Sequence, residues 1–190
     1  MHQPRRQYSV EDYYFLDIGS PIRLEYFEGD IYAMSGGTRA HSRITINVLT
    51  AFRSALRGTQ CEPYDGNMRV MTSAGLYTYP DASVVCGKSE MIGKDERTTL
   101  LNPTLIVEVL SDSTRKYDRG EKFENYRSID SLREYLLIEQ LRPSVELRRR
   151  SAENEWSTST IESLDQSVHL ASIDIDLPLT SIYELVEFAH

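Results

Sequence analysis

What this 190-residue chain lacks excludes most of the common chemistries. It has only two cysteines, Cys61 and Cys86, and their spacing suggests neither a disulfide framework nor a metal knuckle. Cys86 falls in an apolar stretch and is expected to be inert, and Cys61 has no evident base beside it. The four histidines, at positions 2, 41, 169 and 190, are too scattered for a zinc site. No apolar run approaches the roughly 20 residues of a membrane helix. No apolar stretch follows the basic pair Arg5-Arg6, so a signal peptide is not expected and a reducing cytoplasmic setting fits. A GxSxG elbow and a Walker loop are both missing. With no repeat, linker or low-complexity segment, the length predicts one domain over residues 1–190, with an ordered core of about 8–187.

Positive charge is also scarce. The chain carries 21 Lys and Arg against 29 Asp and Glu, a formal net charge of −8. Taken whole, that disfavours a polyanionic partner, because phosphate backbones reward basic surface. The average hides a split. Residues 151–190 hold eight acids and no Lys or Arg, so residues 1–150 are neutral.

What is present alternates between the two periodicities of regular structure. Ser9 with Asp12 three residues on starts a short helix with a capping-box pattern. Residues 22–34 read as a hairpin turning at Glu28-Gly29-Asp30, with the glycine supplying a positive φ. After Ser35-Gly36-Gly37-Thr38, Ile44, Val48, Leu49, Phe52 and Leu56 mark a long helix that Gly58 ends. Residues 68–72 and 76–85 read as strands. Residues 105–110 are nearly all apolar and bounded by turn residues, as in a strand buried on both faces. A helix is expected from Asp118, where Asp118 and Glu121 have capping spacing. Strands follow at 134–139, 145–149 and 156–161, then an irregular extended segment at 170–179 and a closing helix from Ser181. The pattern is mixed α/β (α+β).

Two acids are badly placed for a purely structural role. Glu108 interrupts the apolar 105–110 strand, where a carboxylate is costly unless it is paired or holds a metal. Asp81 follows Pro80 at the entry of another apolar stretch. If the two strands are neighbours, the carboxylates lie side by side, and a proton or a divalent cation must relieve their repulsion. Hard oxygen ligands favour Mg²⁺ or Mn²⁺.

Pro80-Asp81 followed by an apolar strand bearing Glu108 resembles the PD-(D/E)XK nuclease superfamily, with its restriction endonuclease-like mixed central sheet flanked by helices. More closely, the chain resembles the Uma-two family of bacterial nucleases, a domain of unknown function. The blocks around Leu24–Phe27, His41, Tyr79-Pro80-Asp81, Asn102–Thr114, Tyr117–Arg127 and Leu132–Ile138 carry the likeness, over roughly residues 8–187. One position departs. The superfamily pattern is Glu-X-Lys, but here Leu110 stands where the lysine belongs. The family resemblance implies Lys122 as the substitute, with Lys116 as its competitor in a mobile loop.

The resemblance implies metal-dependent endonucleolytic hydrolysis of DNA. Asp81, Glu108 and the Val109 backbone carbonyl would hold Mg²⁺ or Mn²⁺, and Lys122 would be the catalytic cation. Glu25 would be a third ligand or a water-orienting acid, or else pair with an arginine across the hairpin. His41 is either a site residue or a hydrogen-bonded core histidine. Tyr126 could hydrogen-bond at the site, with core packing as the simpler reading. The alternative function is an inactive nuclease-like module used in binding or assembly. A homodimer would suit duplex cleavage. The candidate DNA-contacting cations are Arg39, Arg43, Arg53 and Arg57 on the long helix and the run Arg148-Arg149-Arg150, the latter more simply read as salt-bridged. The acidic end is expected to repel DNA from one face, and truncation after Arg150 suggests itself as a test. The strand meander at the C-terminal side is read as an addition to the central sheet.

Overall fold

The computed structural model describes residues 7–34, 36–94 and 97–188. The basic N-terminal segment, Ser35, His2 and His190 lie outside them. In chain order the elements are α1 (Val10–Gly19), β1 (Leu24–Phe27), β2 (Asp30–Ala33), α2 (Arg39–Ala55), β3 (Cys61–Asp65), β4 (Arg69–Met71), β5 (Tyr77–Thr78), β6 (Ala82–Cys86), β7 (Met91–Ile92), β8 (Thr99–Leu100) and β9 (Leu105–Leu110). They continue with α3 (Arg115–Arg119), α4 (Glu121–Tyr126), β10 (Glu134–Glu139), β11 (Val145–Arg150), β12 (Trp156–Ile161), β13 (Ser167–Leu170), β14 (Ile175–Pro178) and α5 (Leu179–Ile182).

The strands form two six-stranded sheets and one ribbon. The central sheet runs β12-β11-β10-β9-β6-β3. Only β9 and β10 are parallel in it, and α3 and α4 make the crossover between them. All six residues of each of these two strands are buried, as expected of strands covered on both faces. The expected meander is the antiparallel run β10-β11-β12. The second sheet runs β2-β1-β5-β4-β8-β7, and β13 pairs with β14.

Alternation along β9 sorts the core into two layers. Leu105, Val107 and Val109 pack with Ile44, Val48 and Phe52 of α2 and with the C-terminal Val168, Leu170, Leu177 and Ile182. Ile106 and Leu110 face the other way, among Val70 and Leu100 of the second sheet and Phe123 and Tyr126 of α4. Glu108 shares that second face.

Several local expectations need correction. The stretch 76–85 is not one strand. Tyr79-Pro80-Asp81 breaks it, so that β5 belongs to the second sheet and β6 to the central one. Pro80 has no N–H to give a ladder, and this favours the break. The hairpin turn is the two residues Glu28 (φ 48°) and Gly29 (φ 87°), and Asp30 already opens β2. Two successive positive φ values are what a tight type I′ turn requires. Asp118 is not a helix cap; it lies inside α3, buried, and the chain kinks after it at Gly120. Lys116 is likewise helical, with an exposed side chain. The extended segment at 170–179 is largely the β13–β14 hairpin, and α5 starts at Leu179.

The cysteines also differ from expectation. Cys61 and Cys86 face each other across β3 and β6 and form a disulfide. The acidic end is no appendage either, because Val168, Leu170, Leu177, Leu179, Ile182 and Tyr183 are core residues, and truncation after Arg150 would remove them. The triple arginine is internally paired. Arg148 meets Glu146, Arg149 meets buried Glu134, and Arg150 donates to the Ile129 carbonyl. The Ser9–Asp12 capping box forms as expected.

Candidate active site

The two sheets and three helices meet at a cleft of about 990 Å³. Each contributes one part of its floor. The register Ala82↔Val107, continued one residue, sets Asp81 opposite Glu108. Asp81 lies just before β6, and its Oδ2 accepts the Val109 N–H at 2.7 Å, a bond that holds the carboxylate against β9. β1 of the second sheet brings Glu25, whose carboxylate accepts a hydrogen bond from Thr78 of β5. α3 supplies Asp118, α4 supplies Lys122, and the first turn of α2 supplies His41.

Lys122 is the centre of this group. Its Nζ lies 2.9 Å from Glu108 Oε1, 3.2 Å from Glu25 Oε1 and 3.7 Å from Asp118 Oδ1. All four side chains are almost fully buried. The Tyr126 hydroxyl donates to the same Glu108 oxygen at 2.8 Å, so Tyr126 is a partner of the site as well as a core residue. His41 Nε2 lies 3.1 Å from Asp81 Oδ2. Gly37 permits that approach, since a Cβ there would stand 2.8 Å from His41 Nδ1.

The charges follow from this packing. Burial pushes the Glu108 carboxyl well up; the Lys122 ammonium opposes the shift, and Asp118 and Asp81 add to it. Burial also raises Asp118 against the pull of Lys122. For Lys122 burial alone would favour loss of the proton, but Glu108, Glu25 and Asp118 overcome it and hold the ammonium well above the usual lysine range. Burial would also lower His41, yet the hydrogen bond and charge of Asp81, with Asp118 behind, carry it upward.

All five predicted side chains, Asp81, Glu108, Lys122, Glu25 and His41, line the cleft, as does Val109. Among the described residues Glu25 pairs with Lys122 and not with an arginine. Lys122, not the exposed Lys116, reaches the carboxylates. Sequence reasoning missed Asp118 and Thr78. The i, i+4 spacing of Asp118 and Lys122 was the available signal, since it places both on one helical face.

The donor set suits a hard divalent cation. Glu108 Oε2 and Asp81 Oδ1 accept no hydrogen bond from any described residue, while their sister oxygens are bonded. Two carboxylates with water suffice for Mg²⁺, which is commonly held by one or two carboxylates and substrate phosphate. Among the described residues, no group of three His, Cys, Asp or Glu side chains is arranged around a metal position. Lys122 takes up the third carboxylate, Glu25.

The comparisons with known proteins agree with this architecture. Residues 10–180 match the model of the Uma2 family, described as "Putative restriction endonuclease", and the chain belongs to that family. It is 32% identical over 188 residues to the uncharacterized protein slr1290 of Synechocystis sp., covering 97% of this chain and 96% of that one. It is also 32% identical over 135 residues to the uncharacterized protein sll1609 of the same organism, covering 70% and 76%. Its fold matches the crystal structure of a putative nuclease belonging to DUF820 from Anabaena variabilis. The TM-score is 0.71 at 17% identity, covering 88% of this chain and 93% of that one.

Proposed function

From its place in the Uma2 family and from this cleft, we propose that the protein is a metal-dependent endonuclease that hydrolyses DNA phosphodiester bonds, working as one restriction endonuclease-like unit. One observation carries the reading. A buried lysine from α4 reaches Glu108 at 2.9 Å, where Leu110 leaves the strand itself without a lysine.

Asp81 and Glu108, with the Val109 carbonyl, would hold Mg²⁺ or Mn²⁺. Such an ion, when bound, lowers the pKa of a water and neutralises phosphate charge. The protein's own groups do the rest. Lys122 is a fixed cation, pre-placed for the charge that develops on the attacked phosphate. Glu25 and Asp118 hold its ammonium in place, and Thr78 holds Glu25. Tyr126 fixes the Glu108 carboxylate, and the Val109 N–H and His41 orient Asp81.

The test is a pair of variants, Asp81→Asn and Glu108→Gln, measured in two assays. Plasmid cleavage in Mg²⁺ or Mn²⁺ is expected to fall at least about a hundredfold, and the heat of Mn²⁺ binding to disappear, with far-UV circular dichroism unchanged. Wild-type cleavage in EDTA, or undiminished cleavage by both variants, refutes the reading. Absence of both metal binding and cleavage in the wild type favours the inactive binding module instead.

A further inference from the structure

We propose that the outward face of α2 is the surface on which the backbone of a DNA duplex docks as it leaves the cleft. The choice of occupant rests on the nuclease reading; the surface itself rests on separate observations.

At about 100° per residue, Arg39, Arg43, Ile46, Thr50, Arg53 and Arg57 fall within an arc of about 80°. That arc lies opposite the buried stripe Ile44, Val48 and Phe52. Arg57 continues the stripe just past the helix end. Arg39, Arg53 and Arg57 are exposed and Arg43 is half-buried. No Asp or Glu occurs between Asp30 and Glu62, in a chain whose net charge is −8.

The arginines elsewhere are mostly committed. Arg69, Arg115, Arg119, Arg148 and Arg149 are each tied to a carboxylate. Arg43, Arg53 and Arg57 make no ion pair or hydrogen bond with any described residue. Arg39 meets Glu187 at 3.7 Å with both ends about four-fifths exposed, a contact worth little. Removing these four charges would therefore cost the fold almost nothing.

The stripe also starts in the right place. Gly36, Gly37 and His41, at the N-terminal end of α2, line the cleft. From Arg39 to Arg53 the helix rises about 21 Å at 1.5 Å per residue, close to six base-pair steps of duplex. An anionic membrane is a poorer occupant, because the apolar face of α2 is already spent on the core and cannot insert.

The test is fluorescence anisotropy of a labelled duplex of about 24 base pairs, titrated with the full chain in EDTA between about 50 and 200 mM salt. Four phosphate contacts predict a log–log slope near −3.6, at about 0.9 per contact. The triple variant Arg43→Gln/Arg53→Gln/Arg57→Gln is expected to flatten that slope by about 2.7 and to bind at least about tenfold more weakly at low salt. Arg142→Gln, at an exposed arginine paired with Glu162, is the charge control and should leave the slope unchanged. Melting curves check that each variant is folded.

No measurable binding by the wild type overturns the proposal, and so does an unchanged slope in the triple variant. A dimer that the triple variant loses in sedimentation, with DNA binding retained, assigns the face to a second copy and overturns it too. Metal-dependent cleavage with an unchanged slope removes this surface and leaves the nuclease reading standing. An arginine-dependent slope without any cleavage does the reverse.

Discussion

Replacing Lys122 with methionine removes the one ammonium that the described residues place among Glu25, Glu108 and Asp118 and leaves the volume nearly filled. The lysine and all three acids are almost entirely out of water, so solvent screening offers the stranded carboxylates little relief. Breaking one side of a buried ion pair costs about 3–5 kcal/mol, which for a chain of this length corresponds to a melting temperature lower by about 6–20 °C. The pH dependence separates this cause from simple loss of packing. The raised Lys122 pKa means that the ammonium itself is kept throughout and beyond the range below the ordinary lysine pKa, so any change between pH 5 and 8 comes from the raised carboxyls beside it. In the variant, Glu108 and Asp118, already raised, move further up and escape their charge by binding protons. The variant is therefore expected to be least impaired near pH 5 and most impaired near pH 8. Thermal and urea unfolding followed by circular dichroism at both pH values measures this. A loss below about 1 kcal/mol at both pH values, or one that grows toward acid, would refute the assignment of Lys122 as the buried counter-charge.

Three further outcomes are expected. Because the Glu108 carboxyl is pushed up to about 8, a proton competes with any cation there. Mn²⁺ affinity by calorimetry should rise between pH 6 and 8 by up to about tenfold per unit and then level off, whereas a flat profile would count against Glu108 as a ligand. Reducing the Cys61–Cys86 disulfide, which closes a loop of 25 residues, should cost about 3.5 kcal/mol and lower the melting temperature by about 7–14 °C. Cys61→Ser should reproduce that loss and become insensitive to dithiothreitol. Asp17→Ala removes a buried carboxylate that accepts from Arg69, the Tyr79 hydroxyl and the Leu24 N–H, and should destabilise the fold by about 3–5 kcal/mol in urea titrations, with Asp17→Asn, which keeps an acceptor oxygen, losing less.

The legible parts of this fold were those with a strong period or a physical anomaly. α2 shows its 3.6-residue stripe and β9 its short apolar run, interrupted at Glu108. Glu108 stands out because a carboxylate in such a strand needs a reason. Less legible were features that depend on contacts distant in sequence. β7 and β8 have two residues each, too short for any period to register. The run 76–85 has strand-forming residues on both sides of Pro80-Asp81, and although that pair marks a break, nothing local says that the two halves join different sheets. Asp118 has the spacing of a cap, and only the packing of α3 against the carboxylates turns it inward. The disulfide is visible only once Cys61 and Cys86 are known to be opposite in the β3–β6 register.

The break at Tyr79-Pro80-Asp81 has a mechanical consequence. Glu25 and Thr78 ride on one sheet, Asp81 and Glu108 on the other, and Lys122 is in salt-bridge contact with Glu25 and Glu108. The arrangement works like a caliper whose jaws are the two sheets and whose gap is read by a single ammonium. A slide of one sheet along the other would change the Glu25-to-Glu108 gap and with it both contacts of the Lys122 ammonium. The cleft is thus a strain gauge for the alignment of the fold around it.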